Sequence, residues 1–119
     1  MKKIIAIVGM PGAGKSEATR ILGGRGYSTI RFGAIVTEDY LRNKGKDVNE
    51  KNERKVREFL RKKYGMVAMA KLSTGKISKA LKKSGVAIDG MYSWEEYLFL
   101  KRKYGKRFFV VAVFASPRT

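Results

Sequence analysis

Apolar residues follow one another without a gap in residues 3–8, "KIIAIV", and the run breaks at Gly9. A short apolar stretch without alternation, ended by glycine, is the pattern of a parallel strand buried on both faces. Residues 14–22 change to helical spacing, with Ala18, Ile21 and Leu22 on one face, and Gly23, Gly24 and Gly26 stop the helix. Residues 27–32 predict a second strand, and residues 34–44 a helix that ends at Gly45. The strongest helical signal is Glu50–Tyr64, where Val56, Phe59 and Leu60 form an apolar stripe among charges before Gly65. Residues 66–83 predict a further helix, weakened at Gly75. Residues 86–88 form a short buried strand that ends in Asp89 and Gly90. Ser93 and Glu96 have capping-box spacing, which starts a helix over Trp94–Tyr104. The last strand is residues 107–115, "RFFVVAVFA".

This order gives an α/β fold: a three-layer parallel sheet with right-handed crossovers and four strands present. Three helical segments between the second and third strands exceed a simple crossover. They predict a small helical subdomain, about residues 33–83, within one domain spanning residues 1–119. No repeat or low-complexity linker divides the chain. Its length suits one core.

Composition narrows the chemistry. There is no cysteine and no histidine. Disulfides, thiolate metal sites and the commonest general base are therefore excluded. The longest apolar run, residues 108–115, is far shorter than the ~20 residues that span a bilayer. The N-terminal run lacks the length and cleavage site of a signal peptide, so a cytoplasmic location is the expectation. The net charge of +17 predicts attraction to polyanions such as nucleic acid and phosphorylated metabolites. The densest segment is "RNKGKDVNEKNERKVREFLRKK", readable as solvated helix faces, an acceptor pocket or an RNA-contacting surface. Arg57 and Arg61 stand one helical turn apart there and could grip one phosphate. "KRKYGKR" reads as a basic loop before a strand.

Gly9, Met10, Pro11, Gly12, Ala13, Gly14, Lys15 and Ser16 fit G-x-x-x-x-G-K-[ST] in full, between a strand and a helix. Glycines let the chain wrap a phosphate with its N–H groups inward, and the following helix offers unpaired N–H groups and a partial positive end. Lys15 would add a compact charge to the β- and γ-phosphates, and Ser16 a hydroxyl to Mg²⁺. Asp89, at the end of a neighbouring strand, is the expected second holder of the metal. Glu17, in the first helical turn, suits the helix dipole and could also touch the metal.

With these residues the chain resembles the P-loop nucleoside and nucleotide kinases, and most closely an archaeal family of uncharacterised proteins related to adenylate kinase. "IVGMPGAGKSE", "YGMVAMAK", "VAIDGMYSWEE" and "VVAVFASPRT" carry the resemblance in the family's order. It implies ATP–Mg²⁺ at residues 9–16 with Asp89. It also implies an acceptor pocket near Gly33, Thr37, Arg57, Arg61 and Tyr92. The chain departs from the family's pattern at three positions. Ala34 and Thr37 stand where the family has Asp and Arg, and Tyr92 stands where it has Arg. Neither Thr nor Tyr replaces a bidentate guanidinium. The sequence stops at Thr119, where a lid and a fifth strand would follow.

The expected activity is transfer of the ATP γ-phosphoryl to a small acceptor, with AMP as the default. Lys15 and magnesium would carry charge, Ser16 and Asp89 would hold the metal, and Arg57 and Arg61 would orient the acceptor. Two alternatives stand beside it: a nucleotide-dependent module, impaired in turnover, that contacts RNA; and a kinase for another acceptor, such as dephospho-coenzyme A. A short sheet with an open edge would also favour self-association into a homo-oligomer.

Overall fold

The apolar run at the N-terminus becomes the strand β1 (Ile4–Gly9), and the other strands are β2 (Ser28–Arg31), β3 (Val86–Asp89) and β4 (Phe108–Val113). The computed structural model describes residues 2–9, 14–91 and 93–114. The strands form one sheet in the order β2-β3-β1-β4, and every neighbouring pair is parallel. Helices on both sides explain the unbroken apolar runs of the central strands β1 and β3, whereas the edge strand β4 is exposed beyond Phe108.

The helices are α1 (Lys15–Gly24), α2 (Phe32–Asn43), α3 (Glu50–Tyr64), α4 (Ala68–Leu81) and α5 (Trp94–Tyr104). Helix α1 packs on β1, β2 and β3, while α4 and α5 pack on β3 and β4 respectively. Ile4, Ala6, Val86 and Ile88 turn to the α4–α5 side and join a core that includes Leu100 and Phe108. Leu41 of α2 and Val56 and Leu60 of α3 belong to the same cluster. The three helices between β2 and β3 therefore extend the sheet's core. Burying a side chain such as Leu100 contributes roughly 1.5–3 kcal/mol.

Capping explains the two helices whose limits coincide with expectation. Asn49 accepts a hydrogen bond from the Asn52 N–H at 2.8 Å and starts α3. Ser93 and Glu96 form the reciprocal capping box that starts α5. Elsewhere the structure departs from the sequence expectation, first at α1, which runs on through Gly23 and Gly24, where the glycines were expected to stop it, and closes with Arg25 and Gly26 N–H groups bonded back to its last turn. Phe32 ends no strand. It is fully buried as the first residue of α2, because β2 passes into the helix without a loop. Gly75 does not interrupt α4: Ser73, Ile77 and Leu81 are buried on one side of that helix, which offsets the ~1 kcal/mol glycine penalty. Phe59 is 49% exposed, so the buried stripe of α3 narrows to Val56 and Leu60. Arg107 belongs to a short 3-10 turn, Gly105–Arg107, and β4 begins one residue later.

No described helix is long and apolar enough to cross a membrane.

Candidate functional site

All four strands point the same way, so their C-terminal ends share one rim. Asp89 lies opposite Ile7 of β1 and opposite Arg31 of β2, and Gly9 lies opposite Val113 of β4. At about 3.3 Å per residue, Gly9 reaches roughly 7 Å farther along β1 than the level of Asp89. The glycine-rich turn thus leaves the central part of the sheet beside the carboxylate. A side chain could not occupy position 9, because a Cβ there would lie 2.6 Å from the Val113 carbonyl oxygen.

The far end of the turn is equally specific. Gly14 precedes α1 with φ +99°, in the region that favours glycine. Gly14 itself offers no capping side chain to this end of α1. The helix's first N–H groups and its partial positive charge therefore face the turn. Lys15 and Ser16 are the first two residues of the helix, and Ser16 is exposed. Glu17, also exposed, is ion-paired with Arg20 one turn on, an arrangement that suits its helix-dipole role. Met10, Pro11, Gly12 and Ala13 lie outside the described residues, as do Tyr92 and residues 115–119 of the quoted "FASPRT".

The remaining sequence candidates sit on the helical side of the molecule. Gly33 lies in the first turn of α2, two residues after the rim residue Arg31. Thr37 is fully buried, and its hydroxyl donates to Glu53 Oε1 at 3.2 Å across the α2–α3 contact. Arg57 donates to Glu50 Oε1 at 3.1 Å. Arg61 is partly buried, and its Nε has no hydrogen-bond partner among the described residues. A buried unpaired guanidinium nitrogen is uncommon and costly.

Sequence reasoning passed over two features. The first is Arg31, exposed at the end of β2 in register with Asp89. Its signal was a cation directly after "STI", just as Asp89 follows "VAI". The second is an open groove of about 460 Å³ beside Gly9, lined by Val8, Met91, Trp94, Tyr97 and Val110. Trp94 stacks on Tyr97 with ring centroids 4.9 Å apart and is 67% exposed. The sequence offers Trp94, with Tyr92, as an aromatic that could stack on a base or simply pack at a helix start; the missed element is its partner Tyr97, three positions on. Together the rim presents a glycine-rich turn, a helix start, a lysine, a hydroxyl, a carboxylate and an aromatic wall. That set of groups can hold a polyphosphate with its metal and a flat apolar ring.

Comparison with known proteins adds the following. No family model matches the chain. It is 35% identical over 115 residues to a UPF0200 protein of Methanosarcina mazei, covering 97% of this chain and 60% of that protein. It is also 35% identical over 117 residues to a UPF0200 protein of Thermococcus gammatolerans, covering 97% and 61%. The chain thus spans about 60% of the length of these relatives. Among solved structures, a cysteine-to-alanine mutant of the Mycobacterium tuberculosis APS kinase CysC superposes with a TM-score of 0.50 at 18% identity. The match covers 99% of this chain and 81% of that one. The chain is therefore similar to archaeal UPF0200 proteins along nearly its whole length, and its α/β fold resembles that of the APS kinase.

Proposed function

We propose that the chain binds Mg²⁺–ATP at residues 9–16 and passes the γ-phosphoryl to a small acceptor, with AMP as the default. One observation carries this reading. The G-x-x-x-x-G-K-S turn runs from the C-terminal end of β1 to the start of α1, with Asp89 on the adjacent strand at the same rim. In the reaction an acceptor oxygen attacks the γ-phosphorus. The bond to the β–γ bridging oxygen breaks, and ADP leaves with the electron pair. No covalent enzyme intermediate is needed, so positioning and charge neutralisation do the catalysis.

The donor set suits magnesium. Among the described residues no group of three acidic, His or Cys side chains could cage a metal. A Ser16 hydroxyl and an Asp89 carboxylate match an ion that takes one or two protein oxygens and fills its shell with phosphate oxygens and water. Bound there, Mg²⁺ would neutralise phosphate charge. Lys15 would add an ammonium beside the phosphates, and the first N–H groups of α1 would point at them. The orphaned Nε of Arg61 supports an anionic acceptor on the helical side, and the Trp94–Tyr97 wall supports a base beside Gly9.

The experiment is equilibrium ATP binding with and without Mg²⁺, followed by AMP-dependent ADP formation. Lys15→Ala should weaken ATP binding roughly 10- to 100-fold, the effect of removing a charge-assisted contact. Equal affinity for variant and parent would overturn the assignment.

A second reading, a nucleotide-dependent module with impaired turnover, draws support from the acceptor side. Thr37 is engaged by Glu53 and Arg57 by Glu50. ATP binding without AMP-dependent ADP formation would favour it. Phosphorylation of dephospho-coenzyme A instead of AMP would favour a kinase for another acceptor.

A further inference from the structure

A parallel sheet has two rims, and the second one here has its own chemistry. Every strand begins on it, so four segments far apart in sequence meet there. Lys2 and Lys3 lead into β1, Arg25 into β2, Lys82 and Lys83 into β3, and Lys106 and Arg107 into β4. None of the chain's ten acidic residues lies in these lead-ins. The segments are tied together by main-chain bonds. The Val86 N–H donates to the Lys3 carbonyl at 2.9 Å, and the Ser28 N–H donates to the Gly85 carbonyl at 2.9 Å. Side chains add two more ties: Lys2 Nζ donates to the Lys82 carbonyl at 2.8 Å, and Arg107 Nε to the Lys2 carbonyl at 3.0 Å.

Between these lead-ins lies a cleft of about 390 Å³, walled by Lys2, Lys3, Arg25 and Lys83 with Tyr27 among them. Its lining contains no carboxylate. The ion pairs among the described residues use Arg20, Arg42, Arg57 and Lys76. None uses a cation of this rim. The Tyr27 ring lies against the backbone of Gly85, where a Cβ would stand 2.6 Å from it. The cleft is thus a firm, hydrogen-bonded cradle of unneutralised positive charge.

We propose that this rim docks the sugar–phosphate backbone of single-stranded nucleic acid. Several cations held on separate segments around one cleft suit a ligand with repeated phosphates better than a single small anion. An anionic bilayer is the poorer match, because surface helices that bind membranes present a broad apolar face beside their cations. This cleft presents lysine, arginine, glycine, serine and one tyrosine. The inference is independent of nucleotide binding, which uses the opposite rim.

The test measures binding of a labelled single-stranded RNA, and a DNA of the same sequence, across a salt series, with anionic phospholipid vesicles in parallel. About five phosphate contacts predict that affinity falls roughly 100-fold between ~50 and ~200 mM salt. Arg25→Gln with Lys83→Gln should lower the log–log salt slope by about 1.4, with thermal unfolding and ATP affinity unchanged. The matching pair Lys62→Gln with Lys63→Gln, on α3, should leave the slope unchanged. RNA-selective or DNA-selective binding that meets these terms supports the proposal and names the source. Equal slope losses from both pairs would mean diffuse charge attraction and overturn it. Binding to vesicles without binding to either nucleic acid would overturn it as well.

Discussion

The two rims of the sheet are made by the same strands and hold opposite designs. At the C-terminal rim the charges are few and mixed: Arg31 and Asp89 end neighbouring strands, Lys15 opens α1, and Gly9 at the end of β1 leaves no room for a side chain. Recognition there would depend on main-chain N–H groups at the start of α1. At the N-terminal rim the charges are many and of one sign, on flexible side chains anchored by short lead-ins. The first arrangement suits a small ligand of defined shape. The second suits a long ligand that can shift along it. Parallel topology allows both in a chain of 119 residues, because every loop is assigned to one rim or the other.

The comparison breaks if the shared core is damaged. Leu100, fully buried between α5 and the sheet, supports both rims, so Leu100→Ala should cost about 2–5 kcal/mol. Thermal unfolding should fall, with ATP and nucleic-acid binding lost together above the new midpoint. Gly9→Ala should act on one rim only. Its Cβ would push on the Val113 carbonyl and cost about 1–3 kcal/mol, weakening ATP binding while leaving the salt slope for nucleic acid intact. Loss of both activities at a temperature where the variant is folded would show that the rims are coupled. The smallest effect belongs to Ser93→Ala. It removes the hydroxyl that accepts from the Glu96 N–H at 3.1 Å and should cost about 1 kcal/mol in chemical denaturation. That change frays the start of α5 beside the aromatic groove and should leave the cationic cleft untouched.

Much of this was legible in residue order. The buried strands announced themselves by apolar runs that end at Gly9 and Asp89, and α3 and α5 by Asn49 and Ser93 at their starts. Phe32 was misplaced because an aromatic after "STIR" has strand propensity, and only its burial under α2 assigns it to a helix. Phe59 has the right spacing for the core, yet it ends up tilted against Tyr40 at 6.1 Å and half exposed. Periodicity identifies a face, and the neighbour decides how wide that face is. Thr37 and Arg57 matched an acceptor pocket by position, but Thr37's partner Glu53 became visible only with α2 against α3, while Arg57 pairs with Glu50 two turns back on α3 itself. The cationic rim was hidden for the same reason: its lysines and arginines are scattered over more than a hundred positions, and only parallel pairing gathers them.

β4 has one further consequence. Its neighbour on one side is β1. On the other side, among the described residues, it pairs with no strand. Phe109 and Val111 are each 45% exposed there, while Lys3 sits 5.4 Å from the Phe109 ring. In dilute buffer, mutual repulsion between molecules of charge +17 should keep such greasy ribbons from meeting. At ~0.1 M salt the repulsion reaches only ~10 Å, and adhesion between ribbons becomes a matter of concentration. Clarity on storage should therefore decline with added electrolyte, the reverse of a protein that salts in.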